Sequence, residues 1–234
     1  ESLAMRAQPS HRPDLILYLF KGQFLLESTD GTGAITRKCI SEASARQAFT
    51  ARDVDSGWID PHTIRQGHNH RGPWVLQRYE PAQYSIHLDS PLLLPHEDTL
   101  VSTLRIPLPG FLFLGIKKTY YLWAYRAWKG EETVFYRAPL PNIYQDGSIC
   151  FGQNHPRTVS GDTITDTWTL FWDSPFNEHL ASEKSKQAPE NVLPFLGSLH
   201  NSDSYPVDDL ERHGHSLKDL IKTLVAKPRG QERR

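Results

Sequence analysis

The sequence predicts an α+β fold: an antiparallel β meander, then a loop carrying a cysteine, then C-terminal helices, with a β-rich extension at the N-terminus. Between Trp74 and Tyr136 the chain holds the short runs "WVLQRY", "YSIHL", "LVSTLRI", "FLFLGI", "TYYLWAYRAW" and "TVFY", rich in β-branched and aromatic residues and separated by Pro and Gly. The spacers between them are too short for the crossover helices that parallel strands need. Further on, "SLKDLIKTLVAK" puts Leu217, Leu220, Ile221, Leu224 and Val225 on one helical stripe, and Ser216 with Asp219 has the spacing of a capping box.

In chain order, "DLILYLFKGQFLLES" gives two apolar runs split by Lys21-Gly22-Gln23, the pattern of a hairpin. "SEASARQAFTAR" reads as a short helix with Ser41 as N-cap and Ala45, Ala48 and Phe49 on one face. "DSGWIDPHTIRQGHNHRGP", rich in Gly, Pro and His, reads as a long loop or linker. In "TYYLWAYRAW" both alternating faces are largely apolar, which predicts a central strand covered on both sides. "NHPRTVSGDTITD" reads as loop, and "WTLFWDSPFNEHLASEK" as a helix with Ser174 as N-cap and Pro175 at its first position. The predicted organisation is an extension and linker over 1–72, a core over 73–226 and a basic tail over 227–234.

Composition narrows the function classes. A chain of 234 residues with 38% hydrophobic content can bury a substantial core. A formal net charge of −1 gives no global pull towards nucleic acid or an anionic membrane. No apolar run approaches the ~18–20 residues of a membrane helix, and the opening "ESLAMRAQPSHRPD" is too polar for a signal peptide. Two cysteines, Cys39 and Cys150, are too few for a secreted disulfide scaffold, so a cytoplasmic setting is expected. Met5 is the only methionine and offers a natural start after Glu1 to Ala4; an internal fragment is equally allowed.

The stretch "APLPNIYQDGSICFG" carries the chemistry. Asp146-Gly147 is a strong turn pair, Pro141-Asn142 punctuates the chain eight residues before Cys150, and Ile149 and Phe151 flank the thiol. This spacing resembles the ubiquitin-conjugating enzymes, whose motif runs His-Pro-Asn, then a loop, then Gly-x-Ile-Cys; here Leu140 stands where the His would be. A longer resemblance covers "PGFLFLGIKKTYYLWAY", "YRAPLPNIYQDGSICFGQ" and "WTLFWDSPFNEHL". It is to the bacterial branch lacking that His, the PRTRC system protein B or prokaryotic ubiquitin-conjugating-like family D. That likeness implies a ubiquitin-conjugating-enzyme-like fold preceded by strands. It also implies a setting beside a ThiF-like activating enzyme, a JAB-type metallopeptidase and a ParB-like protein.

The implied function is transfer of a ubiquitin-like protein, carried as a thioester on Cys150, to an acceptor. It calls for no cofactor or metal. The thiolate does the carrying, and the Asn142 amide can donate to the oxyanion that forms when an amine attacks. Pro141, Asp146 and Gly147 shape the loop, while Asp173, His179 and His155 are candidate bases for the amine. Plainer readings stand beside these. A lone Cys between apolar neighbours is commonly a buried, inert residue, and an Asn in a turn commonly bonds its own loop. A ubiquitin-conjugating-like fold can also serve as a catalytically inactive binding module, which Leu140 favours. A metal site at His68-x-His70 or His213-x-His215 lacks the ligand spacing of known motifs. A Cys-His-Asn hydrolase from Cys150, His179 and Asn142 completes the alternatives.

Overall fold

The structure is a computed structural model, and it describes residues 15–20, 23–42, 44–45, 59–69, 71–95 and 98–225. The chain divides into two compact units, 1–57 and 58–234. In the first, β1 (Leu15–Phe20), β2 (Gln23–Thr29) and β3 (Ile35–Ile40) form an antiparallel sheet in that order, β1 and β2 being the expected hairpin. Glu27, almost fully buried, takes the Arg37 Nε hydrogen bond at 2.8 Å. Ser41 caps the turn that follows, its Oγ accepting the Ser44 N–H at 3.0 Å. The expected helix positions Ala48 and Phe49 lie outside the described residues.

The second unit begins with β4 (Thr63–Asn69) and β5 (Gly72–Tyr79), followed by β6 (Ala82–Leu93), β7 (Leu100–Leu108), β8 (Gly110–Ile116), β9 (Thr119–Tyr125) and β10 (Val134–Arg137). After a long irregular stretch come the helices α1 (Ile164–Asp173) and α2 (Val192–Ser198), then β11 (Arg212–Ser216) and α3 (Leu217–Val225). Six strands form one antiparallel sheet in the order β11-β10-β9-β8-β5-β4.

Three local readings change. Residues 63–69, expected as linker, are the edge strand β4; its side chains are mostly exposed, so no apolar alternation marks it. Gly67 pairs with Trp74, and a Cβ there would fall 2.7 Å from the indole, so the glycine belongs to the strand. The meander is interrupted: β6 and β7 leave the main sheet as a separate hairpin, and β5 pairs with β8 instead. Pro109 between β7 and β8 has no N–H for a ladder, so a change of direction there is cheap. The helix expected from Ser174 onward ends there instead, with the Ser174 Oγ donating to the Leu170 carbonyl at 2.6 Å. Its start is fixed upstream, where the Thr163 Oγ1 accepts the Ser160 N–H and the Ser160 Oγ accepts the Thr163 N–H.

Alternation along the central strands divides the core. Phe111, Phe113, Tyr120, Leu122 and Ala124 face one side, packed with Ile86, Leu104 and Ile106 of the β6–β7 hairpin, Ile164 and Phe171 of α1, and Val192 and Leu196 of α2. Leu112, Leu114, Trp123, Tyr125 and Phe135 face the other, where α3 lays Leu217, Ile221 and Leu224. The sheet is therefore covered on both sides, as the two apolar faces of 119–128 require. The α3 cap forms as expected, the Asp219 carboxylate accepting from the Ser216 N–H and hydroxyl. No helix among the described residues is long and apolar enough to cross a membrane.

Candidate functional site

Beyond β10 the chain folds residues 142–150 into a narrow antiparallel ribbon. The Cys150 N–H donates to the Asn142 carbonyl at 2.8 Å, the Tyr144 N–H to the Ser148 carbonyl at 2.8 Å, and Ile143 faces Ile149 between them. The turn at its tip is closed by the Gly147 N–H donating to the Tyr144 carbonyl at 3.0 Å. Asp146 reinforces it, one carboxylate oxygen accepting both the N–H and the hydroxyl of Ser148. Gly147 has φ +91° and lies against the Trp123 indole, leaving no room for a Cβ. The indole N–H donates to the Asp146 carbonyl at 3.1 Å.

This register accounts for the eight-residue spacing between Asn142 and Cys150. The two backbones are directly opposite each other in the ribbon, the Cys150 N–H meeting the Asn142 carbonyl. Ile143 and Ile149 turn inward and are buried, while Asn142, Tyr144, Ser148 and Cys150 remain partly or fully accessible. Along its outer edge the ribbon is sewn to β9: the Ile149 N–H donates to the Tyr120 carbonyl and the Leu122 N–H to the Gly147 carbonyl. Phe151 meets the edge of the Tyr120 ring.

The Asn142 backbone takes φ +60°, a conformation that Asn tolerates better than most residues. Its N–H donates to the His179 carbonyl at 2.9 Å, and its side-chain amide donates to the Pro175 carbonyl at 3.1 Å. Asn142 thus ties the ribbon to the chain leaving α1. Pro141 is buried just before it. Leu140 is fully buried in the core and offers the ribbon no polar group.

Of the three candidate bases, His179 reaches this region through its backbone, and its side chain is exposed. Asp173 is exposed on the last turn of α1, and His155 is exposed in the segment after Cys150. No hydrogen bond ties any of these three side chains to the thiol among the described residues. The neighbour that sequence reasoning missed is Tyr144, whose phenol the adjacent Cys150 thiol holds above its ordinary value. The signal for it lay in the same register, because Tyr144 is the diagonal neighbour of Cys150 across the ribbon.

The two cysteines differ in accessibility. Cys39 is the exposed cysteine and Cys150 is half-buried, because the ribbon packs Ile149 and Phe151 against the sheet on either side of it. A groove of ≈ 560 Å³ opens nearby, lined by Leu88 and Leu92 of β6, Phe176, Glu178, His179 and Leu193, but Cys150 is not among its lining residues. Among the described residues, no group of three His, Cys, Asp or Glu side chains could hold a metal ion. The rings of His213 and His215 are 5.3 Å apart, and His70 lies outside the described residues.

Residues 37–213, more than half of the chain, match the model of prokaryotic E2 family D. No curated protein and no solved structure matches the chain.

Proposed function

Because the chain belongs to prokaryotic E2 family D, we propose that it carries a ubiquitin-like protein as a thioester on Cys150 and passes it to an acceptor. The Cys150 thiolate attacks the thioester carbonyl presented by a ThiF-like activating enzyme and expels that enzyme's thiolate. An acceptor amine then attacks the Cys150 thioester, loses a proton, and the Cys150 thiolate leaves. The observation that supports this reading is the ribbon register, which pairs the Asn142 backbone directly with that of Cys150. One of its N–H bonds goes to Pro175 and holds the side chain in place. The second N–H is the donor for the oxyanion. Exposed Asp173, His179 and His155 lie outside the thiol's own hydrogen bonding, so the acceptor's proton goes to one of these groups or to water. A JAB-type metallopeptidase and a ParB-like protein are the further partners of such a system.

The test separates charging from discharge. With an activating enzyme, a carrier protein and ATP, Cys150→Ala forms no thiol-sensitive adduct, and Cys150→Ser forms at most a stable oxyester. Asn142→Ala charges at a near-normal rate, because exchange of one thioester for another is driven by the thiolate. Its discharge to an amine slows by about 10²–10³, the loss seen when one oxyanion donor is removed. Normal discharge from Asn142→Ala reduces that residue to a tie between the ribbon and Pro175. A second reading, an inactive binding module of the same system, draws on Leu140 being wholly apolar and buried. Absence of any charging on Cys150 selects it.

A further inference from the structure

The ribbon that carries Cys150 has two edges, and among the described residues only one is covered by a strand. In an antiparallel pair, residues whose neighbours exchange hydrogen bonds across the ribbon point their own backbone groups outward. Ile149 and Ile143 are such residues. Ile149 donates outward to β9. On the opposite edge no strand of the sheet faces Ile143, and its carbonyl is a buried acceptor that needs a donor. Lys184 supplies it. This side chain is 1% exposed, and its Nζ lies 2.7 Å from the Ile143 carbonyl oxygen and 3.5 Å from that of Tyr144.

We propose that Lys184 is a positioning residue for the reactive loop, a buried ammonium that takes the place of a neighbouring strand and clamps the edge of the ribbon holding Asn142 and Cys150. The assignment of a reaction to that loop rests on the thioester reading above; the clamp itself does not. The base of the clamp is rigid. Ser185 bridges to Leu210, and its hydroxyl donates to Asp209 at 2.9 Å. Asp209 also accepts the Gln187 N–H at 2.9 Å and the Tyr205 hydroxyl at 3.0 Å. The charged groups facing Lys184 are Arg137, which opposes its charge, and Glu183 and Asp146, which favour it. Glu183 is itself engaged by Arg137 at 2.8 Å and by Gln145. Burial first, and then Arg137, push the Lys184 ammonium down to about 8. The chain therefore keeps a cation where charge is disfavoured, which a packing role alone does not call for.

The test uses the full chain in a Cys39→Ala background, without carrier or activating enzyme. Lys184→Met keeps the length and removes the donor. Its thermal midpoint is expected to stay level or rise. Over the same comparison, amide exchange across 143–150 speeds up by about tenfold or more, as loss of a charged hydrogen bond implies, and Cys150 alkylation accelerates. Lys184→Arg restores protection of the loop. A midpoint that falls in step with loop protection, or loop exchange unchanged in Lys184→Met, overturns the clamp. A second measurement needs no variant. Neutralising the amine weakens its bonds to the carbonyls, so raising pH from 7 to 9.5 speeds exchange of 143–150 relative to β8, after correction for hydroxide catalysis. An unchanged ratio also overturns it. If exchange responds as expected but Cys150 never charges, the clamp stands and the thioester reading falls.

Discussion

At the scale of single residues, Leu140 fills the position before Pro141 with apolar volume. It is fully buried among the apolar side chains beneath the sheet, two residues before the strained Asn142. Restoring the resemblance with Leu140→His buries an imidazole where no polar partner waits. We expect a loss of about 2–4 kcal/mol in urea unfolding, combining lost apolar volume with an unpaired polar group. That loss deepens below about pH 6.5, because the unfolded chain takes up the imidazole proton more readily than the buried ring does. Discharge from Cys150 should not improve. A stable Leu140→His protein with faster discharge would show that the His is merely missing rather than excluded. The rest of the site was legible to the extent that register was. Eight residues around a tight Asp-Gly turn make Asn142 and Cys150 opposite neighbours, and the same counting reaches Tyr144. Lys184 was not legible, because its contact spans 41 positions and depends on where the irregular stretch after α1 returns to the sheet.

At the scale of elements, α1 decides how one face of the sheet is closed. Trp168 stacks on Tyr79 with ring centroids 3.8 Å apart and meets the edge of Phe113 at 5.1 Å. Trp172, one turn on, stacks on Tyr84 of the displaced hairpin at 4.3 Å. Trp168 is partly buried, so Trp168→Ala should cost about 3 kcal/mol, the lower end of the range for truncating a core aromatic. Trp172→Phe should cost about 1 kcal/mol or less, since it keeps the stack and removes a buried indole N–H that has no hydrogen-bond partner among the described residues. Equal losses from the two in urea unfolding would contradict this division. The helix was misplaced in the sequence because Ser174-Pro175 resembles a helix start, whereas the true start at Ser160 and Thr163 lies in a Thr-rich run of weak propensity. The central strands and α3 were legible because each shows its period clearly. Strand β4 was not, because an exposed edge shows none.

At the scale of the whole second unit, burial of ionisable groups sets how stability responds to pH. All six tryptophans lie within 58–234, so no indole of residues 1–57 contributes to the fluorescence. On the acid side, burial, then His215 and then Arg137, hold His213 below its ordinary 6.5. The unfolded chain binds that proton first, and stability falls as pH drops below 6.5. Lys184 acts at the other end. Its ammonium has an ordinary value of 10.5 and a folded value of about 8. Between these two values the unfolded chain keeps a proton that the folded chain has released, so stability climbs with pH across that window. The full climb is on the order of 3 kcal/mol at 1.36 kcal/mol per unit. Opposing it, burial raises Tyr84 to about 12 and also raises Tyr79, Tyr120, Tyr125 and Tyr205 above their ordinary 10.0. Above about pH 10 the unfolded chain loses phenol protons that the folded chain retains, and stability falls steeply. Urea unfolding from pH 5 to 11 should therefore peak between about 9 and 10. In Lys184→Met the tyrosine limb remains but the climb from pH 8 disappears, leaving a plateau at higher stability. A parent curve that is flat from pH 8 to 10 would mean that the buried ammonium does not feel its burial.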